Sequence, residues 1–257
     1  MVDSLSSYDA VILDGFGTLY DKDYIPLPGA VRFLETISCR SILFSNIGSK
    51  TGDSLRGQLE SNFHSLPSEI LTSLDFLLIY LKKKNINRIF HYGGQQAAQK
   101  LLENKMTIVG GQEKIDAIVF TSLPNSNWIK DSQSVLQYLN SRVDSELILA
   151  NPDRMIPGDH VGINVGMMFD MLLKDWPTNN YPLFIKEIGK PCLTRTEINL
   201  GGSDKILVVG DNKITDGGLA KNLDADFCLI SSLENSQSHN NFIYPSLDLL
   251  VDEFHGK

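Results

Sequence analysis

The stretch Tyr8–Asp21, YDAVILDGFGTLYD, decides how the rest of the chain is read. Its first half is a short apolar run with β-branched residues, the composition of a strand covered on both faces, so Asp14 falls at the strand's carboxyl end. Gly15 and Gly17 then permit a tight turn. A glycine-rich turn after a strand is common and mostly structural. The same turn with a carboxylate at its mouth gains weight only if other segments repeat the arrangement.

They do. AVIL, SILFS, RIFHY, DAIVF, LILA, LFIK, KILVVG and FCLI are strand candidates, separated by amphipathic stretches such as PGAVRFLETI, LDFLLIYLKKK, SQSVLQYLNSR, INVGMMFDMLLKDW and DGGLAKNL. Continuous apolar strands alternating with helices predict an α/β fold with a doubly wound parallel sheet. Three further strand ends carry polar residues: Ser45 in ILFSNIGS, Lys190 in EIGKPCLT, and Asp211 with Asp216 in ILVVGDNKITDGG. Taken singly, Ser45 reads as a helix cap and Lys190 as a solvated charge. Two carboxylates at one sheet mouth repel unless a cation or hydrogen bonds compensate them. Magnesium fits such a set, because it takes a few carboxylates, a carbonyl and waters and bridges to phosphate oxygens.

Composition narrows the partners. A net charge of -8 and a pI near 5.1, with no basic stripe, argue against nucleic acid or an anionic membrane as partner. Lys82–Lys84 reads as the solvated end of a helix. Cys39, Cys192 and Cys228 are odd in number and share no CxxC spacing, which argues against a disulfide framework or a zinc site. No apolar run is long enough to span a bilayer, and a cytoplasmic location is expected.

In this order, DGFGT, Ser45, Lys190 and GDNKITD resemble the four motifs of the haloacid dehalogenase superfamily. About 145 residues lie between Ser45 and Lys190, which implies an inserted domain. Together with PGA at Pro28–Ala30, NPD at Asn151–Asp153 and GKP around Lys190, the insertion resembles the α/β cap of the class IIA branch, the NagD-like and p-nitrophenylphosphatase-like enzymes. The expected organisation is a core of residues 1–65 and 160–257 with a cap of residues 66–159.

The resemblance implies a magnesium-dependent phosphatase acting on a small phosphorylated metabolite, of the sugar or alcohol phosphate class, through an aspartyl-phosphate on Asp14. It assigns catalysis to Asp14, Ser45 and Lys190, substrate binding to Ser45, Asn46 and Lys190, metal ligation to Asp14, the Phe16 carbonyl and Asp211, and support to Asp216. A homodimer is compatible with it. Ile47 and Asn212 depart from the family pattern, and so does Phe16, which stands where the motif's general acid belongs. Phe16 keeps a backbone carbonyl for the metal and removes acid–base help worth typically about 10²–10⁴-fold. Asp21 and Asp23 are nearby carboxylates, each read first as a loop residue. An aromatic residue at this place also resembles metal-independent haloacid dehalogenases, against which Asp211, Asp216 and the position of the insertion argue. A binding or regulatory module that has lost turnover is the third reading. His91, Cys192 and the helical run MMFDMLLKDW are read as packing residues.

Overall fold

The computed structural model describes residues 5–110, 113–123, 135, 145–155, 162–175, 184–231 and 241–255. The chain divides into two compact units: residues 1–45, 52–71 and 190–257, and residues 46–51 and 72–189.

The first unit is built on a six-stranded sheet. Its strands are β1 (Ala10–Leu13), β2 (Arg40–Ser45), β3 (Glu69–Thr72), β9 (Ile206–Gly210), β10 (Asp226–Ile230) and β11 (Asn241–Tyr244), in the order β11-β10-β9-β1-β2-β3. β1 pairs in parallel with β2 on one side, Leu13 opposite Leu43, and with β9 on the other, Leu13 opposite Val209. Every residue of β1 and β9 is buried, as their unbroken apolar sequences require of strands covered on both faces. The helices are α1 (Ala30–Thr36), α2 (Gly52–Leu59), α6 (Asp216–Leu223) and α7 (Leu247–His255). α1 begins after Gly29, whose φ of 81° and near-contact with the Asp248 backbone, 2.2 Å from an added Cβ, leave room for glycine alone. In chain order the strands run from β1 out to β3, then return to β9 and run out to β11. The order therefore reverses between β1 and β9, the switch point at which doubly wound sheets open a crevice.

The second unit has its own parallel sheet of β4 (Arg88–Tyr92), β5 (Thr107–Ile108), β6 (Ala117–Phe120), β7 (Glu146–Leu149) and β8 (Ile185–Glu187), in the order β5-β4-β6-β7-β8. α3 (Ser73–Lys83) starts on a reciprocal capping box between Thr72 and Asp75, and α4 (Gln95–Glu103) and α5 (Val165–Asp175) follow. Phe120, Leu149, Met168, Phe169 and Leu172 form its core, with the Phe120 and Phe169 rings edge to face at 5.1 Å. The packing role expected of MMFDMLLKDW is thus met by Met168, Phe169 and Leu172, while Met171 is exposed.

The boundaries differ from the expected 66–159. The second unit extends to Gly189 because β8 pairs with β7 and belongs to this sheet. Residues 46–51 belong to it as well: the Ile47 carbonyl accepts from Leu74 N, and the Lys50 carbonyl accepts from Thr72 Oγ1 at 2.6 Å. The helix expected over residues 132–142 lies outside the described residues apart from Val135.

Candidate active site

The site lies at the β1/β9 switch point of the first unit. Asp14 continues β1 by one residue, its N–H donating to the Val209 carbonyl at 2.8 Å. The chain then folds tightly on itself. The Gly15 carbonyl accepts from the N–H groups of Thr18, Leu19 and Tyr20, and Gly17 N–H donates to the Tyr20 carbonyl. Gly17 has a φ of 83°, and a Cβ there would lie 2.3 Å from Asp211 Oδ2, so glycine is needed for conformation and for space. None of these turn bonds uses the Phe16 carbonyl.

Lys190 joins the site from the opposite end of the chain. Its Nζ, buried to 3% exposure, donates to Asp14 Oδ1 and to Asp216 Oδ1, the latter at 2.7 Å. Asp216 opens α6 and is itself buried, and its second oxygen accepts from Asn212 N–H at 3.1 Å. Gly210 makes that approach possible, since a Cβ on it would lie 2.2 Å from Asp216 Oδ2. Asn212, which departs from the family pattern, accepts from Ile214 and Thr215 N–H through Oδ1 and so shapes the turn. Thr18 Oγ1 donates a long bond, 3.4 Å, to Asp14 Oδ2.

Carboxylate oxygens of Asp14, Asp211 and Asp216 all lie within 4.8 Å of one another. Three acids against one ammonium leave the cluster short of positive charge. Burial, then the Asp14 and Asp216 charges, push the Asp211 carboxyl up to about 7, with Lys190 opposing. Burial likewise takes Asp216 up to about 7 against the pull of Lys190. For Lys190 burial works the other way, and the charges of Asp14 and Asp216 more than offset it, holding the ammonium above the ordinary lysine range. Such a set accepts a divalent cation readily, because a cation removes the repulsion among the carboxylates. Asp216 accepts from Lys190 and Asn212, and Asp14 from Lys190 and Thr18.

Of the residues marked in the sequence, Asp14, Lys190, Asp211 and Asp216 meet here. Ser45 ends β2 in the same unit and is buried. Asn46 belongs to the second unit, where its Nδ2 donates to Asp153 Oδ1 at 2.7 Å. Asn46 Oδ1 would sit 2.6 Å from a Cβ on Gly189, so the NPD segment and both ends of the second unit pack around this amide. Asp21 is a loop carboxylate, its Oδ1 accepting from Asp23 and Ile25 N–H. His91 packs in the second unit with Nε2 2.8 Å from Thr121 Oγ1. Tyr20 carries no motif chemistry in the sequence, and its ring closes the turn against Gly15. The signal for it was the absence of a side chain at position 15.

Residues 11–107 match the family model of the haloacid dehalogenase-like hydrolases. No curated protein matches the chain. Among solved structures, NagD from E. coli K-12 is similar at a TM-score of 0.73 and 22% identity, over 93% of this chain and 97% of that one. The 4-nitrophenylphosphatase of Thermotoga maritima gives a TM-score of 0.77 at 21% identity, over 98% and 99%. A glycerol phosphate phosphatase from Mycobacterium tuberculosis, in complex with magnesium, gives 0.71 at 21% identity, over 97% and 78%. The family model thus matches the part of the chain that carries the first motifs, and the fold is shared with NagD along nearly the whole length.

Proposed function

We propose that the chain is a magnesium-dependent phosphatase that hydrolyses a small phosphorylated metabolite through an aspartyl-phosphate on Asp14. The observation that carries this reading is the arrangement at the switch point: Asp14 held by Lys190, faced by Asp211, and followed by a carbonyl at Phe16 that the turn leaves unused. Magnesium held by Asp14, Asp211 and the Phe16 carbonyl would neutralise the charge of the phosphoryl oxygens. Asp14 supplies the nucleophilic oxygen, which forms the new bond to phosphorus as the bond to the leaving oxygen breaks. Lys190 balances the Asp14 charge before attack and the phosphoryl charge during it, with Asp216 fixing its position. Ser45 donates a hydrogen bond to the phosphoryl group. Water then cleaves the aspartyl-phosphate, releasing phosphate and restoring Asp14. Asn46 is left out of this assignment because its amide nitrogen is committed to Asp153.

Phe16 offers no proton to the departing oxygen. Sugar and alcohol phosphates, which leave as alkoxides, are therefore slow substrates, while acyl and aryl phosphates lose least. The aromatic residue also favours a haloacid dehalogenase, and the crowd of carboxylates at Asp14 weighs against one, since an anionic nucleophile without a metal gains nothing from two further acids. The test is hydrolysis of phosphate monoesters, acyl phosphates and 2-haloacids with and without magnesium, combined with mass analysis of acid-quenched protein. Phosphate release that stops on chelation, with a phosphorylated peptide containing Asp14, is expected. Metal-independent halide release would replace this reading.

A further inference from the structure

Tyr20 is buried to 1% exposure, and its hydroxyl has no hydrogen-bond partner. A buried hydroxyl without a partner loses its hydration for nothing in return, so its presence calls for a reason. The ring lies against Gly15. A Cβ on that residue would meet Tyr20 Oη at 2.4 Å and Cζ at 2.8 Å, so the hydroxyl occupies the space of a side chain at position 15. The β1–β2 register pairs Leu13 with Leu43. Gly15 and Ser45 each follow that pair by two residues, at the carboxyl ends of adjacent parallel strands. Tyr20 Oη, in the space of a side chain at Gly15, is therefore brought to the strand end that neighbours Ser45. The titration behaviour agrees: burial and then the Asp14 charge raise the phenol, and the Ser45 side chain opposes them from nearby without an aligned hydrogen bond.

We propose that Tyr20 is a positioning residue that holds the Ser45 hydroxyl toward the phosphoryl group, with Gly15 kept free of a side chain so that the phenol can reach it. The inference rests on the phosphatase reading above. As phosphate binds, Ser45 turns its proton to a phosphoryl oxygen and its lone pairs accept from Tyr20, so the phenol gains its partner only in the occupied site. No bond to Tyr20 is made or broken in the reaction.

The experiment is a double-mutant cycle of Tyr20→Phe and Ser45→Ala, read as kcat and KM on an aryl phosphate and as affinity for orthovanadate, with Tm measured alongside. Tyr20→Phe is expected to lower kcat and vanadate affinity about 10-fold, the scale of one neutral hydrogen bond, while Tm holds or rises because an unpartnered hydroxyl is removed. In the Ser45→Ala background the same change should do nothing, since its target is gone. Equal losses in both backgrounds, or a Tyr20→Phe protein with unchanged kcat and vanadate affinity, overturn the proposal while leaving the phosphatase reading intact. A wild-type protein with neither turnover nor vanadate binding overturns both, because Ser45 then receives no phosphoryl group.

Discussion

Two parallel sheets in one chain invite comparison at their switch points. In the first unit the order reverses between β1 and β9, and Asp14 and Asp211 follow those strands. In the second it reverses between β4 and β6, whose ends carry His91, Gly93, Thr121 and Ser122. The topology is equivalent, yet the chemistry is not. The first crevice collects three carboxylates and a lysine. The second holds a neutral imidazole bonded to a hydroxyl and is packed from within its own unit, an added Cβ on Gly48 lying 1.9 Å from the Thr121 carbonyl. The fold supplies the opening in both places, and the residues at the strand ends decide whether it is filled by backbone or left to charge.

The comparison breaks if the charged crevice is dispensable. Asp14→Asn should lower kcat/KM on any phosphate ester by about 10⁴-fold or more, since the nucleophile is gone, whereas Thr121→Val in the second crevice should leave it unchanged. Equal effects from the two, measured by steady-state kinetics on folded proteins, would erase the distinction. Phe16→Asp sharpens it by adding a proton donor to the first crevice. Gains on alkyl phosphates should recover part of the roughly 10²–10⁴-fold available to such a group, with smaller gains on aryl phosphates of low leaving-group pKa. A folded variant with no gain on any alkyl phosphate would show that the proton comes from elsewhere.

Titration separates the crevices further. Burial brings His91 down to about 4 from 6.5, so the unfolded chain binds the extra proton between those values. Stability from this residue is complete above about pH 6.5 and is lost as pH falls toward 4, with an upper scale of about 3 kcal/mol. His91→Gln should flatten that acid limb in denaturant titrations. In the first crevice the sign is opposite. The Asp211 and Asp216 carboxyls are raised to about 7, so the metal-free protein pays for ionising them as pH climbs from their ordinary range toward 7. Magnesium competes with those protons, and at about 100-fold excess over its Kd it should stabilise by about 2.7 kcal/mol near pH 8 and by clearly less near pH 5. A magnesium-induced rise in Tm that is the same at both values would contradict this ligand set.

How much of this was legible in the sequence depended on how densely each element advertised itself. β1 and β9 are apolar throughout and were read directly, and the polar residues at their ends were found with them. α4 buries only Ala97 and Leu101, and α2 buries Gly52, Leu55 and Leu59. Polar residues and glycine make up most of both stretches, so no apolar run marks either helix. β5 has two residues, too few for any alternation, and β11 follows a serine- and asparagine-rich stretch that reads as loop. At the site, Asp14, Lys190, Asp211 and Asp216 were legible because their residue types carry chemistry at strand ends. The commitment of Asn46 to Asp153 and the place of Tyr20 beneath Gly15 were not, since both depend on contacts that spacing along the chain does not encode.

The ion pair between Lys190 and Asp14 spans 176 positions of sequence, and it also orders events during synthesis. At about 5–20 residues per second, Lys190 leaves the ribosome roughly 10–35 s after Asp14. β1 is an inner strand whose neighbour β9 emerges later still, so the first sheet cannot close while the stretch from Thr72 to Gly189 is being made. That stretch carries the five strands of the second sheet, the last of them ending at Glu187, ahead of β9. The nascent chain therefore completes its neutral half first and holds its acidic strand end in water, where ionised carboxylates cost nothing, until the lysine that will be buried with them arrives.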